Sequence, residues 1–363
     1  MVESSSSFMH GQTPGGLTEA LNKFYDFEYL AEGRANTVFV IREKPERDSS
    51  WPLPEGTFAE TLLRVPKVTD GIVPCDYDTL QQFHDGVVVP QVGEEHVVPQ
   101  VLVKITEETA DKLDKLRKRD SKKARAAEDT HIGVGSAMLI QDMSESPEYL
   151  SLEFKPKWLA QSPLAPKTSI RCRTCAREAY RIAQKVAEGK SAAKLGPPVC
   201  PLGLLHSERW IRMATIDRLA PSWSEHDRER LAEALQQSGL LERLRQLQVR
   251  GDPDRALFDN PSDAQFGLTM TLRDCSCFVR MPKDKNAPVL IKLADVDKKN
   301  WEAKQTYWQD SHNNLVDNGW YTGEEQPRLE TNCIFELDRL RAHHDHSRDK
   351  LFAAFLARAP KDE

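Results

Sequence analysis

Two hydrophobic periods divide this 363-residue chain. From about residue 19 to 110 the apolar runs are short, β-branched and interrupted by turn residues. Ala35–Arg42 and Thr61–Val65 read as strands, and the Val- and Pro-rich stretch 87–103 as short strands broken by turns. The charged stretch Asp111–Glu128 holds neither Gly nor Pro and reads as a helix. Ala137–Ile140 follows as a buried strand, and Gln141–Glu148 as a polar connector and hinge. Beyond it strands and helices mix. Tyr149–Phe154, Phe266–Arg280 and Val289–Val296 read as strands, the last two adjacent. Ala176–Glu188, Asp227–Leu247, Trp301–Asn314 and Glu336–Ala357 read as helices. The pattern predicts an α+β chain in three parts: a disordered tail (1–18), a β-rich N-lobe (19–142) and a mixed C-lobe (143–363).

Charge and cysteine usage narrow the function classes. A formal net charge of -6 argues against a general nucleic-acid binder but leaves room for a local basic pocket. No apolar run approaches the roughly 18 residues of a membrane span, and MVESSSSFMHGQTPGG lacks the basic and apolar regions of a secretory signal. The seven cysteines are odd in number and spread over a long chain, which points to a reducing compartment, cytosol or nucleus. The basic run Lys112–Arg125 is interleaved with Asp114 and Asp120 and has no aromatics to stack on bases, so it reads as a solvated helix. A monomer without membrane or direct nucleic-acid partners is expected.

Several groups of residues carry candidate chemistry. Gly33, Arg34, Ala35 and Asn36 precede a strand, where small residues let backbone N–H groups approach phosphate; a plain turn is the alternative. Arg64 lies within a strand-like segment, either as a buried cation for nucleotide phosphates or as an edge residue facing water. In Glu153-Phe-Lys-Pro-Lys-Trp158 alternation puts Glu153, Lys155 and Lys157 on one face, and Pro156 places the strand at an edge or at its end. That makes either a phosphate-gripping edge or a solvated face. Asp274 and Asp295 each follow an apolar stretch and suit Mg²⁺ binding and hydroxyl positioning in phosphoryl transfer, with Asp297 as an alternative ligand; strand-end aspartates also form turns. Lys298, Lys299, Lys304 and Tyr307 come next, with Lys304 and Tyr307 on one helical face. Cys172-x-x-Cys175 forms half of a Zn²⁺ site that Cys200 and His206 would close; free buried thiols are the alternative. The order of lobes is the plan of a kinase with ATP in a cleft.

EGRANTVF, LLRVPK, EEHV, AMLIQD, LEFKPKW, CRTC, VCPLGL, TLRDCS, LADVDKK and a later Tyr307 follow one another across about residues 30–310. Together they resemble the inositol-pentakisphosphate 2-kinases, in a fungal form. The resemblance implies a divergent two-lobed kinase fold and transfer of the ATP γ-phosphate to the 2-hydroxyl of inositol pentakisphosphate, giving the hexakisphosphate. It implies nucleotide binding by Gly33–Asn36 and Arg64, with adenine at the backbone of Gln141, Asp142 and Met143. Lys155, Lys157, Lys299 and Tyr307 would hold the inositol phosphate. Asp274 would be the catalytic aspartate and Asp295 the Mg²⁺ ligand. Where members carry Met-His-Gln this chain has Ala176-Arg177-Glu178, so Arg177 stands in as a phosphate ligand. An expected Asn-Asn pair is Leu240-Leu241, and an expected cation is Ala303, leaving Lys304 to serve. Rival readings are a kinase of the same fold acting on another inositol polyphosphate, and a non-catalytic nuclear scaffold.

Overall fold

A computed structural model describes residues 8–9, 11–33, 35–45, 51, 53–69, 76–120, 130–190, 199–253, 255–325 and 332–360. The chain divides into two compact units, Met1–Ser144 and Glu145–Glu363. Arg34 of the expected phosphate-binding loop and the 121–125 end of the basic run lie outside the described residues.

The first unit is built on an antiparallel sheet. Its strands are β1 (Tyr25–Glu32), β2 (Asn36–Glu43), β3 (Thr61–Thr69), β4 (Gln100–Ile105), β5 (Thr130–Ile132) and β6 (Gly135–Gln141). The order is β1-β2-β3-β6-β4, with β5 paired to β3. Helix α1 (Pro14–Phe24) packs Leu17 and Leu21 onto this sheet, and α3 (Glu107–Arg119) adds Leu113. Phe39, Leu63 and Leu139 meet them from the strands, all fully buried. Each such side chain is worth about 1.5–3 kcal/mol of burial. The expected tail is therefore too long: Thr13 caps α1 by accepting from Gly16 N–H, and Leu17 belongs to the core.

The stretch 87–99 is not broken strand. Helix α2 (Tyr77–Phe83) runs on through a π-helical turn (His84–Val88) and a short helical turn (Val89–Val92). Val88 and Val92, four apart, are both fully buried, which is a helical face, and Pro90 falls just where the π-helical turn ends.

The second unit holds a three-stranded antiparallel sheet, β7 (Tyr149–Phe154), β8 (Ser276–Pro282) and β9 (Leu290–Ala294), with β8 central. Its longer helices are α4 (Arg173–Ala187), α5 (Arg209–Leu219), α6 (Glu225–Ser238), α7 (Leu240–Arg250), α8 (Ala264–Leu272), α9 (Trp301–Asp317) and α10 (Ile334–Ala342). Three expectations need correction. The helix expected over 227–247 is two helices, because Gly239 turns left-handed at φ +65° and separates α6 from α7. The strand expected from Phe266 is helix α8 as far as Leu272, capped by Asp263. Its apolar residues cover all sides, so their spacing does not separate buried helix from buried strand. The C-terminal helix stops at Ala342 and resumes only in short turns after Arg348. Among the described residues no helix is long and apolar enough to cross a membrane.

Candidate active site

Lys155 and Lys157 leave the end of β7, an edge strand that stops two residues before Pro156. Asp274 occupies the turn between α8 and β8, and Asp295 follows β9 directly. Pairing of the three strands thus brings all four residues to one end of the sheet. Lys155 Nζ donates to Asp274 O at 2.7 Å and to Asp295 Oδ2 at 3.2 Å. Lys157 Nζ meets Asp274 Oδ1 at 3.0 Å, and Lys299 Nζ meets Asp274 Oδ2, also at 3.0 Å. Three ammonium groups therefore surround two carboxylates. Glu153, on the same strand, accepts from Ser276 Oγ at 2.8 Å.

The electrostatics follow from this arrangement. Partial burial pushes the Asp274 carboxyl up, but Lys299 and Lys157 outweigh it and hold the pKa down at about 2. Asp274 is ionised throughout the neutral range. The side chains of Lys155, Lys157, Asp274 and Asp295 are 36–50% exposed, so as stability terms these pairs contribute little, about 0–1 kcal/mol each. Their value is placement. Both Lys157 (φ +54°) and Asp295 (φ +55°) take a left-handed backbone that non-glycine residues rarely adopt.

A second group lies where α4 faces α9. Arg177 Nη2 donates to Tyr307 Oη at 3.0 Å, and Lys304 Nζ lies 5.8 Å from the Tyr307 ring centre. One turn along each helix, Arg173 Nη2 reaches Ser311 Oγ at 3.5 Å. Trp158, next to Lys157, stacks against the Arg273 guanidinium at 3.4 Å and lies 5.5 Å from that of Arg173. Arg273 is held by Asp252 at 2.6 Å, and burial pulls its pKa down to about 10.

In the first unit Arg64 is on a central strand, opposite Val38 of β2 and Met138 of β6, and buried. The water-facing alternative is excluded. Its guanidinium lies 5.6 Å from the Tyr77 ring centre, and Tyr77 Oη donates to Asn36 Oδ1 at 2.7 Å. The Gly33–Asn36 turn is closed by Gly33 N–H to Asn36 O at 2.8 Å and tied to β3 through Ala35 O, which accepts from Lys67 N–H. Glu32, just before it, is fixed by buried Lys67 at 3.5 Å, with Arg117 at 3.8 Å. At Gln141–Met143 the Gln141 amide donates to Pro99 O and the Asp142 amide to Glu60 O, and Met143 is buried.

The cysteine cluster differs from expectation in its fourth member. Cys172, Cys175, Cys200 and Cys333 are all buried, and their sulfurs lie within 4.8 Å of one another. Cys172 and Cys200 are 3.9 Å apart, Cys200 and Cys333 3.7 Å. His206 is engaged elsewhere: Nδ1 accepts from Glu208 N–H at 3.1 Å, and Nε2 faces Asp338 Oδ1 at 3.1 Å. Cys333 was missed because no local spacing ties it to Cys200, 133 residues away.

The sequence profile described as inositol-pentakisphosphate 2-kinase matches residues 29–314. Over 193 residues the chain is 34% identical to a fungal protein, the inositol-pentakisphosphate 2-kinase of Yarrowia lipolytica (strain CLIB 122 / E 150). That alignment covers 53% of this chain and 59% of the relative. With most of its length inside the profile, this chain belongs to the inositol-pentakisphosphate 2-kinase family.

Proposed function

We propose that the protein transfers the γ-phosphate of ATP to the 2-hydroxyl of inositol 1,3,4,5,6-pentakisphosphate. The observation that carries this is Asp274 held between Lys157 and Lys299, with Lys155 bridging it to Asp295. Asp274 orients the acceptor hydroxyl and takes its proton as the new bond to the γ-phosphorus forms and the bond from that phosphorus to the β,γ-bridging oxygen breaks, releasing ADP. The lysines, released from the carboxylates, grip the acceptor's phosphates, and Arg177, Lys304 and Tyr307 extend that grip. A bound Mg²⁺ would neutralise charge on the transferring group, and Asp295, with its exposed carboxylate, would hold it. We read the two units as the lobes of a divergent kinase fold. Nucleotide contacts fall in the first: the Gly33–Asn36 turn and Arg64 on phosphates, the Gln141–Met143 backbone on adenine.

The four-cysteine cluster suits Zn²⁺. A tetrahedron with Zn–S bonds of about 2.3 Å has sulfurs about 3.8 Å apart, which matches the 3.7 and 3.9 Å separations here. Cys172 N–H also donates to Cys333 Sγ, the kind of outer contact that orients a metal-binding thiolate. The role is structural, joining the starts of α4 and α10.

Incubation with ATP, Mg²⁺ and each inositol pentakisphosphate isomer, followed by chromatography, tests the activity. Conversion of the isomer with a free 2-hydroxyl is expected. Turnover confined to a less phosphorylated inositol would move the activity to another acceptor.

A further inference from the structure

Gln248 has no part in the scheme above, yet its amide joins two segments of the site. It lies in the last turns of α7 and is 1% exposed. Nε2 donates to Lys157 O at 2.8 Å and to Leu272 O at 3.2 Å, and Oε1 accepts from Leu159 N–H at 2.9 Å. Every one of these partners is backbone. One partner lies on Lys157 itself, and another two residues before Asp274.

The frame that carries Gln248 is tied closely to α8 and Arg273. Arg273 Nη2 donates to Gln248 O at 3.3 Å, and Thr269 Oγ1 donates to Leu247 O at 3.2 Å. A Cβ placed on Gly251 would lie 2.3 Å from Thr269 Oγ1 and 2.7 Å from Gln265 O, so the residue that ends α7 lies close against the first two turns of α8. Against this frame the left-handed turn at Lys157 needs outside support, because its backbone is unfavourable for lysine. Gln248 supplies it on both sides: at the Lys157 carbonyl and at the Leu159 amide. An apolar side chain of similar volume would strip both groups of this partner.

We propose that Gln248 is a positioning residue that sets the turn at Lys157 in register with the end of α8, and so places the Lys157 ammonium for an acceptor phosphate. The proposal rests on the reading of this site as the acceptor site of a kinase. Gln248 touches neither the lysine ammonium nor the aspartate carboxylate. It acts through the backbone alone.

The test compares wild type, Gln248→Met, Lys157→Ala and the double variant as full-length proteins. Steady-state kinetics are measured with ATP and inositol 1,3,4,5,6-pentakisphosphate, beside hydrogen exchange over residues 155–160. Gln248→Met should raise the acceptor KM at least tenfold, leave the ATP KM within twofold and speed exchange in that segment. In the Lys157→Ala background the same change should cost less than twofold. A folded Gln248→Met with an unmoved acceptor KM overturns the proposal. So does an equal loss in both backgrounds, or a joint rise in both KM values. If Gln248→Met does not fold, Gln248→Asn, which keeps the amide but is shorter, carries the same comparison. A wild type that turns over no inositol phosphate overturns the kinase reading and this proposal together; an active wild type with an indifferent Gln248 overturns only the proposal.

Discussion

Lys157 and Asp295 share a backbone departure: both are left-handed, at φ +54° and +55°, and both bring a charge into the group around Asp274. Such a conformation costs a non-glycine residue about 1–2 kcal/mol, and a fold keeps it where placement matters more than stability. Asp295→Gly removes that strain along with the carboxylate. Transfer should be lost, while Tm falls by no more than about 2 °C or rises. A thermal-unfolding scan showing a drop of the size of a core truncation would contradict this view of the turn.

The two lysines just past β7 should separate the ligands. Changing Lys155 and Lys157 together to Ala should weaken inositol-phosphate binding far more than ATP binding, since each charge-assisted contact is worth about 1.5–3 kcal/mol. High salt should shrink the difference. Calorimetric titration of each ligand checks it, and equal loss of both would point instead to damaged folding.

Metal content tests the cysteine cluster. Protein purified without added zinc should carry about one equivalent, and Cys333→Ser should lose it. His206→Ala should keep it, because both His206 nitrogens already have partners. A metal-free, fully folded wild type, or zinc lost with His206 and kept without Cys333, would reverse the assignment.

The depressed pKa of Asp274 has a consequence for acid stability. Its folded value, about 2, lies below the ordinary 3.8. Its ionised form therefore favours the folded state above about pH 4, and that contribution disappears as pH falls toward 2. Stability curves of wild type and Asp274→Asn should differ by a constant above pH 4 and converge below it. Parallel curves down to pH 2 would show that the lysines do not hold the carboxylate.

What the sequence revealed depended on whether a signal was local. Alternation from Glu153 marked Lys155 and Lys157 as one strand face, but β7 ends at Phe154 and Lys157 turns left-handed; it is the chain just past the strand that brings both lysines to Asp274 and Asp295. Asp274 does lie beside the lysines, but the element it follows was misread as a strand, because α8 is apolar on every side. Val88 and Val92 fit a broken strand as well as a helix until their shared burial is seen. Cys333 and Gln248 carry no local mark at all. One depends on a partner 133 residues away, and the other looks like an ordinary polar position on an amphipathic helix.

Asp274→Asn tests the account most directly. The change is nearly isosteric, so packing should survive, but an amide cannot accept the hydroxyl proton. Single-turnover transfer from ATP to inositol 1,3,4,5,6-pentakisphosphate should fall by about 100-fold or more, with ATP affinity nearly unchanged. Asp295→Asn should weaken metal-nucleotide binding as well as rate. Folded Asp274→Asn that still makes the hexakisphosphate at a near-normal rate would contradict the assignment of Asp274 as the catalytic aspartate.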